Sequence, residues 1–193
     1  MHAILFDLDN TLIDRDYALN QALLHEFDRP EKVESLLKLD ASGYGSRSDF
    51  LASWSHMSGS LKTMPDLSDA ISEYLEPDQK MLSALSNLSQ QVPLGIISNG
   101  GVENQWAKIH SAGLGRCFNE ANVWISGELP YEKPDREIFQ LACKSLNVSV
   151  SETLFIGDHP VVDVQGALNA GLHARLITRV VDAQFIDYLT EYI

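Results

Sequence analysis

The sequence predicts an α/β protein: a doubly wound, Rossmann-like parallel sheet core with an inserted small all-helical cap domain. Three observations carry this. Short continuous apolar runs recur along the chain, helical patterns separate most of them, and one long segment after the first run has helical periodicity without a strand. The 193 residues, 45% hydrophobic and 21% charged, suit a folded chain of one domain or of one domain with a modest insertion.

Ala3 to Phe6 is apolar throughout, as expected of a strand buried on both faces of a parallel sheet. Leu94 to Ile97, after Pro93, and Thr153 to Ile156, after a Ser/Glu turn, repeat the pattern. Val123 to Ile125 and Ala174 to Ile177 are weaker strand candidates. Helices are expected over Gln79 to Ser89, Val102 to Ala112, Arg136 to Leu146 and Val161 to Ala170, with Gly113 and Gly171 where C-terminal caps belong.

From about Asp16 to Leu75 the alternation stops. Tyr17, Leu23, Leu24 and Phe27 form one apolar stripe, and Val33, Leu36, Leu37 and Leu39 another. After the turn Gly43-Tyr44-Gly45-Ser46 come Phe50, Leu51 and Trp54, then Leu67, Ile71, Tyr74 and Leu75. The expected division is therefore 1–15 with 76–193 as the α/β core and 16–75 as a helical domain. The alternative is that these helices only cover one face of the sheet.

The net charge of -13, from 27 acidic against 14 basic residues, opposes extended contact with nucleic acid or anionic lipid. No nucleic-acid polymer and no membrane partner are expected. Cys117 and Cys143 lack metal-like spacing and read as reduced structural thiols. The first residues lack the pattern of a signal peptide, and no stretch approaches a membrane span, so a cytoplasmic protein is expected. Oligomeric state is open.

Open parallel sheets bind ligands beyond the carboxyl ends of their strands. Asp7, Asp9 and Thr11 follow the first apolar run. Ser98, Asn99, Gly100 and Gly101 follow the second, and Gly157, Asp158, His159 and then Asp163 follow the third. The alternative is that each cluster is only a turn, the favoured reading for Ser98-Asn99-Gly100-Gly101 taken alone, whereas the pattern Asp-x-Asp-x-Thr from Asp7 to Thr11 is uncommon by chance. Together they bring carboxylates to one edge, where they repel one another unless a cation joins them. All-oxygen donors with a substrate phosphate completing the shell describe Mg2+ better than zinc, and His159 alone lacks zinc-ligand partners. Lys133 adds a positive charge in Glu132-Lys133-Pro134-Asp135, where a plain surface lysine is the alternative. Pro134 biases Lys133 to extended backbone and can help start the next helix.

These residues resemble the haloacid dehalogenase superfamily, in the branch with a small helical cap inserted after the first strand. The resemblance rests on Phe6-Asp7-Leu8-Asp9-Asn10-Thr11, Ile97-Ser98-Asn99-Gly100, Lys133-Pro134-Asp135 and Gly157-Asp158-His159-Pro160-Val161-Val162-Asp163, in that order over nearly the whole chain. It implies a phosphatase acting on a small phosphorylated metabolite, with Asp7 as covalent nucleophile and Asp9 as general acid and base. Mg2+ would be held by Asp7, the Asp9 main-chain carbonyl, Asp158 and Asp163. Ser98, Asn99, Gly100 and Thr11 would bind phosphate, and Lys133 would pair with Asp7 and the phosphoryl group. A dehalogenase of the same superfamily needs neither Asp9 nor magnesium; a phosphomutase and a catalytically silent binding protein are further alternatives. The cap would choose the substrate, with Tyr44 and Arg47 as candidate contacts; the other reading makes Arg47 a solvated charge.

Overall fold

The computed structural model describes residues 1–193, the side chain of Tyr192 apart. It divides into two units, Met1–Ile13 with Glu76–Ile193, and Asp14–Leu75. The helical unit begins ahead of the expected residue 16, because Asp14 caps its first helix, accepting from the Tyr17 N–H at 3.0 Å.

The first unit holds a five-stranded parallel sheet: β1 (Ala3–Phe6), β2 (Leu94–Ser98), β3 (Val123–Ile125), β4 (Thr153–Gly157) and β5 (His173–Leu176), in spatial order β3-β2-β1-β4-β5. Its central strand, β1, is wholly buried, and Phe6 lies in register with Ile96 on one side and Ile156 on the other. That is why the central runs are apolar at every position instead of alternating. Strand β5, expected over Ala174 to Ile177, starts one residue earlier and is only partly covered, in keeping with its weaker pattern.

Helices α5 (Gln79–Ser89), α6 (Val102–Ser111), α7 (Arg136–Ser145), α8 (Gly166–Ala170) and α9 (Ala183–Leu189) belong to this unit; labels α1 to α4 are kept for the other. Leu5, Ile97 and Phe155 from the sheet pack with Ile138, Phe139, Ala142 and Cys143 of α7 and with Ala167 and Ala170 of α8. α5 and α9 pack on each other. Gly171 ends α8 in the left-handed conformation expected of a capping glycine. The helix expected over Val161 to Ala170 is not continuous. Pro160–Gln165 forms a π-helical turn, in which the Val164 N–H bonds the His159 carbonyl at 3.2 Å, and α8 begins only at Gly166. Pro134 also lies outside α7, which starts at Arg136.

The second unit contains α1 (Arg15–Glu26), α2 (Pro30–Asp40), α3 (Arg47–Ser58) and α4 (Met64–Glu73). Its core is Ala18, Leu19, Leu23, Phe27, Val33, Leu36, Phe50, Trp54, Leu67 and Ile71. Three residues of the expected stripes, Tyr17, Leu24 and Leu39, are exposed instead. On α1, helical spacing from Leu23 and Phe27 leads back to Leu19, with Ala18 beside it, and leaves Tyr17 and Leu24 on the flank. The turn after α2 is held by charge. Asp40 accepts from Arg15 at 2.6 and 2.7 Å, from Arg47 at 2.6 Å and from the Gly43 N–H at 3.0 Å. Burial pushes the Asp40 carboxyl up, but Arg15 and then Arg47 outweigh it and hold it below the usual carboxylate range. Gly45 is required by close approach, since a Cβ there would sit 1.8 Å from the Leu39 carbonyl oxygen. Among the described residues, no helix is long and apolar enough to cross a membrane.

Candidate active site

The sheet order reverses between β1 and β4, so the ends of these two strands flank the crevice where open α/β sheets take ligands. Asp7 directly follows β1, its N–H bonded to the Ile156 carbonyl of β4 at 2.8 Å, and Asp158 directly follows β4. Ser98 closes β2 on the other side of β1.

Lys133 reaches this edge from the loop before α7. Its Nζ lies 2.5 Å from Asp7 Oδ1 and 2.7 Å from Asp163 Oδ1, and it is nearly fully buried. Asn99 fixes the base of that lysine: its Nδ2 donates to the Lys133 carbonyl and its Oδ1 accepts from the Lys133 N–H, both at 2.8 Å. Asp163 is completely buried within the π-helical turn, and its second oxygen accepts from the His159 N–H at 3.0 Å. It fits there only because residue 157 lacks a side chain. A Cβ on Gly157 would lie 2.5 Å from Asp163 Oδ2.

Carboxylate oxygens of Asp7, Asp158 and Asp163 lie within 4.8 Å of one another. Burial, against the pull of Lys133, pushes the Asp7 carboxyl up to about 7, and Asp163 and Asp9 add to the rise. Burial and then Asp163 push Asp158 up to about 6. Burial disfavours the Lys133 charge, yet Asp163 and Asp7 outweigh it and raise its pKa. With all three carboxylates ionised against one ammonium, two negative charges would be left over, which a divalent cation would offset. The donors are all oxygen, which suits a hard cation. His159 is engaged otherwise, its Nδ1 accepting from the Val161 and Val162 N–H groups at 3.2 and 3.0 Å.

Asp9 lies outside this carboxylate cluster. Both of its oxygens are 2.5 Å from Lys108 Nζ, and Oδ2 also accepts from Gln105 Nε2 at 3.2 Å. Gln105 Nε2 lies 2.5 Å from Ser98 Oγ and 2.8 Å from the Asn99 carbonyl as well. Sequence reasoning missed Lys108 and Gln105. The one available signal was their spacing of three on α6, which puts two polar residues on one face of the helix directly following Ser98-Asn99. Of the other expected phosphate contacts, Thr11 is fully buried, its hydroxyl without a partner among the described residues, and the Gly100 N–H donates to Ser126 Oγ at 3.0 Å. Arg47 sits in the helical unit, donating to Asp40 and to the Gly43 carbonyl, and Tyr44 is exposed.

Comparison with known proteins covers both sequence and fold. A segment of 107 residues, 55% of this chain, is 34% identical to the glyceraldehyde 3-phosphate phosphatase of Methanopyrus kandleri and spans 45% of that protein. The chain thus matches about half the length of that relative. The N-acylneuraminate-9-phosphatase of Rattus norvegicus is 26% identical over 204 aligned positions, covering 91% of this chain and 82% of that protein. Among solved structures, the magnesium-bound HAD-hydrolase YfnB of Bacillus subtilis superposes with a TM-score of 0.74 at 20% identity, covering 98% of this chain and 97% of that one. At that identity the likeness speaks for the fold alone. The model of the haloacid dehalogenase-like hydrolases matches residues 4–177, a span that runs from β1 past β5 and includes the whole carboxylate edge, and the chain belongs to that family.

Proposed function

We propose that the protein is a phosphatase that hydrolyses a small phosphomonoester through an aspartyl phosphate on Asp7. The observation that carries the proposal is the buried Asp7–Lys133–Asp163 chain, 2.5 and 2.7 Å per link, at the crevice where the strand order reverses. The phosphatase names of two relatives, 34% and 26% identical to this chain over the aligned segments, support the same reading.

Asp7, Asp158, Asp163 and the Asp9 main-chain carbonyl would hold magnesium, which supplies positive charge that neutralises both the carboxylates and the phosphoryl oxygens. Asp7 attacks phosphorus in line, forming an Oδ–P bond as the bond to the leaving oxygen breaks. Asp9 gives that oxygen a proton. Water then attacks the phosphoryl group and returns a proton to Asp9, releasing inorganic phosphate and free Asp7. Lys133 keeps Asp7 in place and offsets charge on the phosphoryl group. Ser98 Oγ accepts from Gln105, so its own hydrogen is left to donate to a phosphoryl oxygen. Thr11, Asn99 and Gly100 line the same edge. The unit Asp14–Leu75 is assigned the choice of substrate, through Tyr44 and Arg47.

The test is release of inorganic phosphate from a panel of phosphorylated metabolites with magnesium present, alongside Asp7→Asn and a chelator. Turnover should need both Asp7 and the metal. Steady hydrolysis by folded Asp7→Asn protein would reject the covalent mechanism, and full activity in excess chelator would favour dehalogenase chemistry.

A further inference from the structure

We infer that Lys108 is a positioning residue for Asp9: it fixes the orientation of the carboxylate that moves the proton in both half-reactions. The inference rests on the phosphatase reading above. Lys108 lies toward the end of α6, where a lysine ordinarily extends its ammonium into water. Here the residue is 6% exposed and the ammonium is turned inward. Its Nζ stands 2.5 Å from each oxygen of Asp9, a symmetric fork that sets the plane of the carboxyl group. Burying an ammonium costs several kcal/mol unless a partner offsets it. Asp9 is that partner.

Gln105 does not set that plane. One amide nitrogen faces three acceptors, Ser98 Oγ at 2.5 Å, the Asn99 carbonyl at 2.8 Å and Asp9 Oδ2 at 3.2 Å. It carries only two hydrogens, so the longest of these, to Asp9, is the weakest. Gln105 therefore belongs chiefly to Ser98, and of these two residues of α6 it is Lys108 that holds both oxygens of Asp9. Without it, rotation about the Asp9 side-chain bonds would take the carboxyl away from the line between the leaving oxygen and the incoming water. Lys108 itself touches no reacting atom in this scheme.

The experiment compares wild type, Lys108→Met, Lys108→Arg and Asp9→Asn in the intact chain with magnesium, on p-nitrophenyl phosphate and on the fastest alkyl phosphomonoester of the panel. Expulsion of nitrophenolate needs no proton, whereas an alkoxide does, and the second half-reaction needs Asp9 for both substrates. Lys108→Met should lower kcat on the alkyl ester on the order of 30- to 100-fold, the scale of a misplacement of about 1 Å, with KM changed less than about threefold. On nitrophenyl phosphate it should give a burst of one nitrophenolate per enzyme followed by slow turnover. Lys108→Arg, which restores a charged donor to both oxygens, should recover most of kcat. Wild-type kcat in Lys108→Met overturns the inference, as does an equal loss on both substrates with no burst and no recovery by arginine. Should the methionine variant melt too low to assay, Lys108→Gln carries the same comparison. Asp9→Asn separates the two levels. If it hydrolyses the alkyl ester at the wild-type rate, the role given to Asp9 fails; if it is inactive while Lys108→Met is normal, only the role of Lys108 fails.

Discussion

Replacing Lys133 by methionine removes the one cation that the described residues place between Asp7 and Asp163, and the cost should depend on pH in a direction fixed by the site. At 2.5 and 2.7 Å and an effective dielectric near 20, each ion contact is worth roughly 6 to 7 kcal/mol of attraction. Desolvation of the ammonium offsets much of this, so the expected loss of folding stability is about 3 to 5 kcal/mol with both carboxylates ionised. Lys133 lowers the pKa of Asp7, which burial holds at about 7. Without it, Asp7 keeps its proton to higher pH, while the unfolded chain still releases it near 3.8. The folded variant thus binds more protons than the unfolded one over a wider range, and its stability falls as pH rises through that range. Urea denaturation of wild type and Lys133→Met, with chelator, at pH 5 and pH 8 measures the difference. The deficit should be larger at pH 8 than at pH 5, where Asp7 carries its proton in both proteins and the lost attraction is that to Asp163 alone. A deficit equal at both values, or larger at pH 5, would refute the argument that Lys133 favours the ionised form of Asp7. With magnesium at pH 8, kcat should fall by about two to three decades, the usual effect of losing one preorganised charge stabiliser.

The wild-type metal-free protein should show the same sign more weakly. Asp7 near 7 and Asp158 near 6 both lie above their ordinary 3.8, so thermal stability should fall between about pH 4 and 7 and magnesium should oppose the fall. A melting temperature that rises across this window without metal would contradict it. Gly157→Ala puts a methyl group against Asp163 Oδ2 and should weaken magnesium binding by at least about tenfold, as disturbed ligand support does elsewhere. Titration calorimetry reads this directly, and unchanged affinity would mean that Asp163 has room to move. Arg47→Ala should raise KM for the preferred substrate far more than for a small generic phosphate ester. Equal effects on both would leave Arg47 with the role its bonds to Asp40 and Gly43 already give it.

The three central strands were legible because a strand buried on both faces favours apolar residues throughout, and in β1, β2 and β4 the polar residues are Ser98 and Thr153, each at a strand end. Asp7 and Asp158, directly after β1 and β4, and Ser98, the last residue of β2, followed from the same rule, since the end of a buried strand is where the chain first meets solvent or ligand. What could not be read was long-range pairing. Lys108 looks like any basic residue in the last turn of an amphipathic helix, and its partner Asp9 is 99 positions away. Asn99 looked like part of a turn, and only the fold brings its amide to the Lys133 main chain. Tyr17 and Leu24 fit a helical stripe nearly as well as Ala18 and Leu19 do. Ala18 and Leu19 take the face of α1 that packs in the helical core, and α4 lies against the same helix.

The wide turn from Pro160 to Gln165 constrains how the chain can vary. A regular α-helix advances about 100° per residue, so each insertion or deletion rotates everything downstream by that angle. In this turn the Asp163 and Val164 N–H groups share the His159 carbonyl, and the chain holds one more residue than an α-turn would while still delivering Asp163 inward and Ala167 to the core. Tightening it by one residue would swing either the carboxylate or α8 out of place. The separation of Asp158 from Asp163 is therefore a matter of angle as much as of distance. An exposed side chain between them, such as Val161, is free to change, while the number of residues is not.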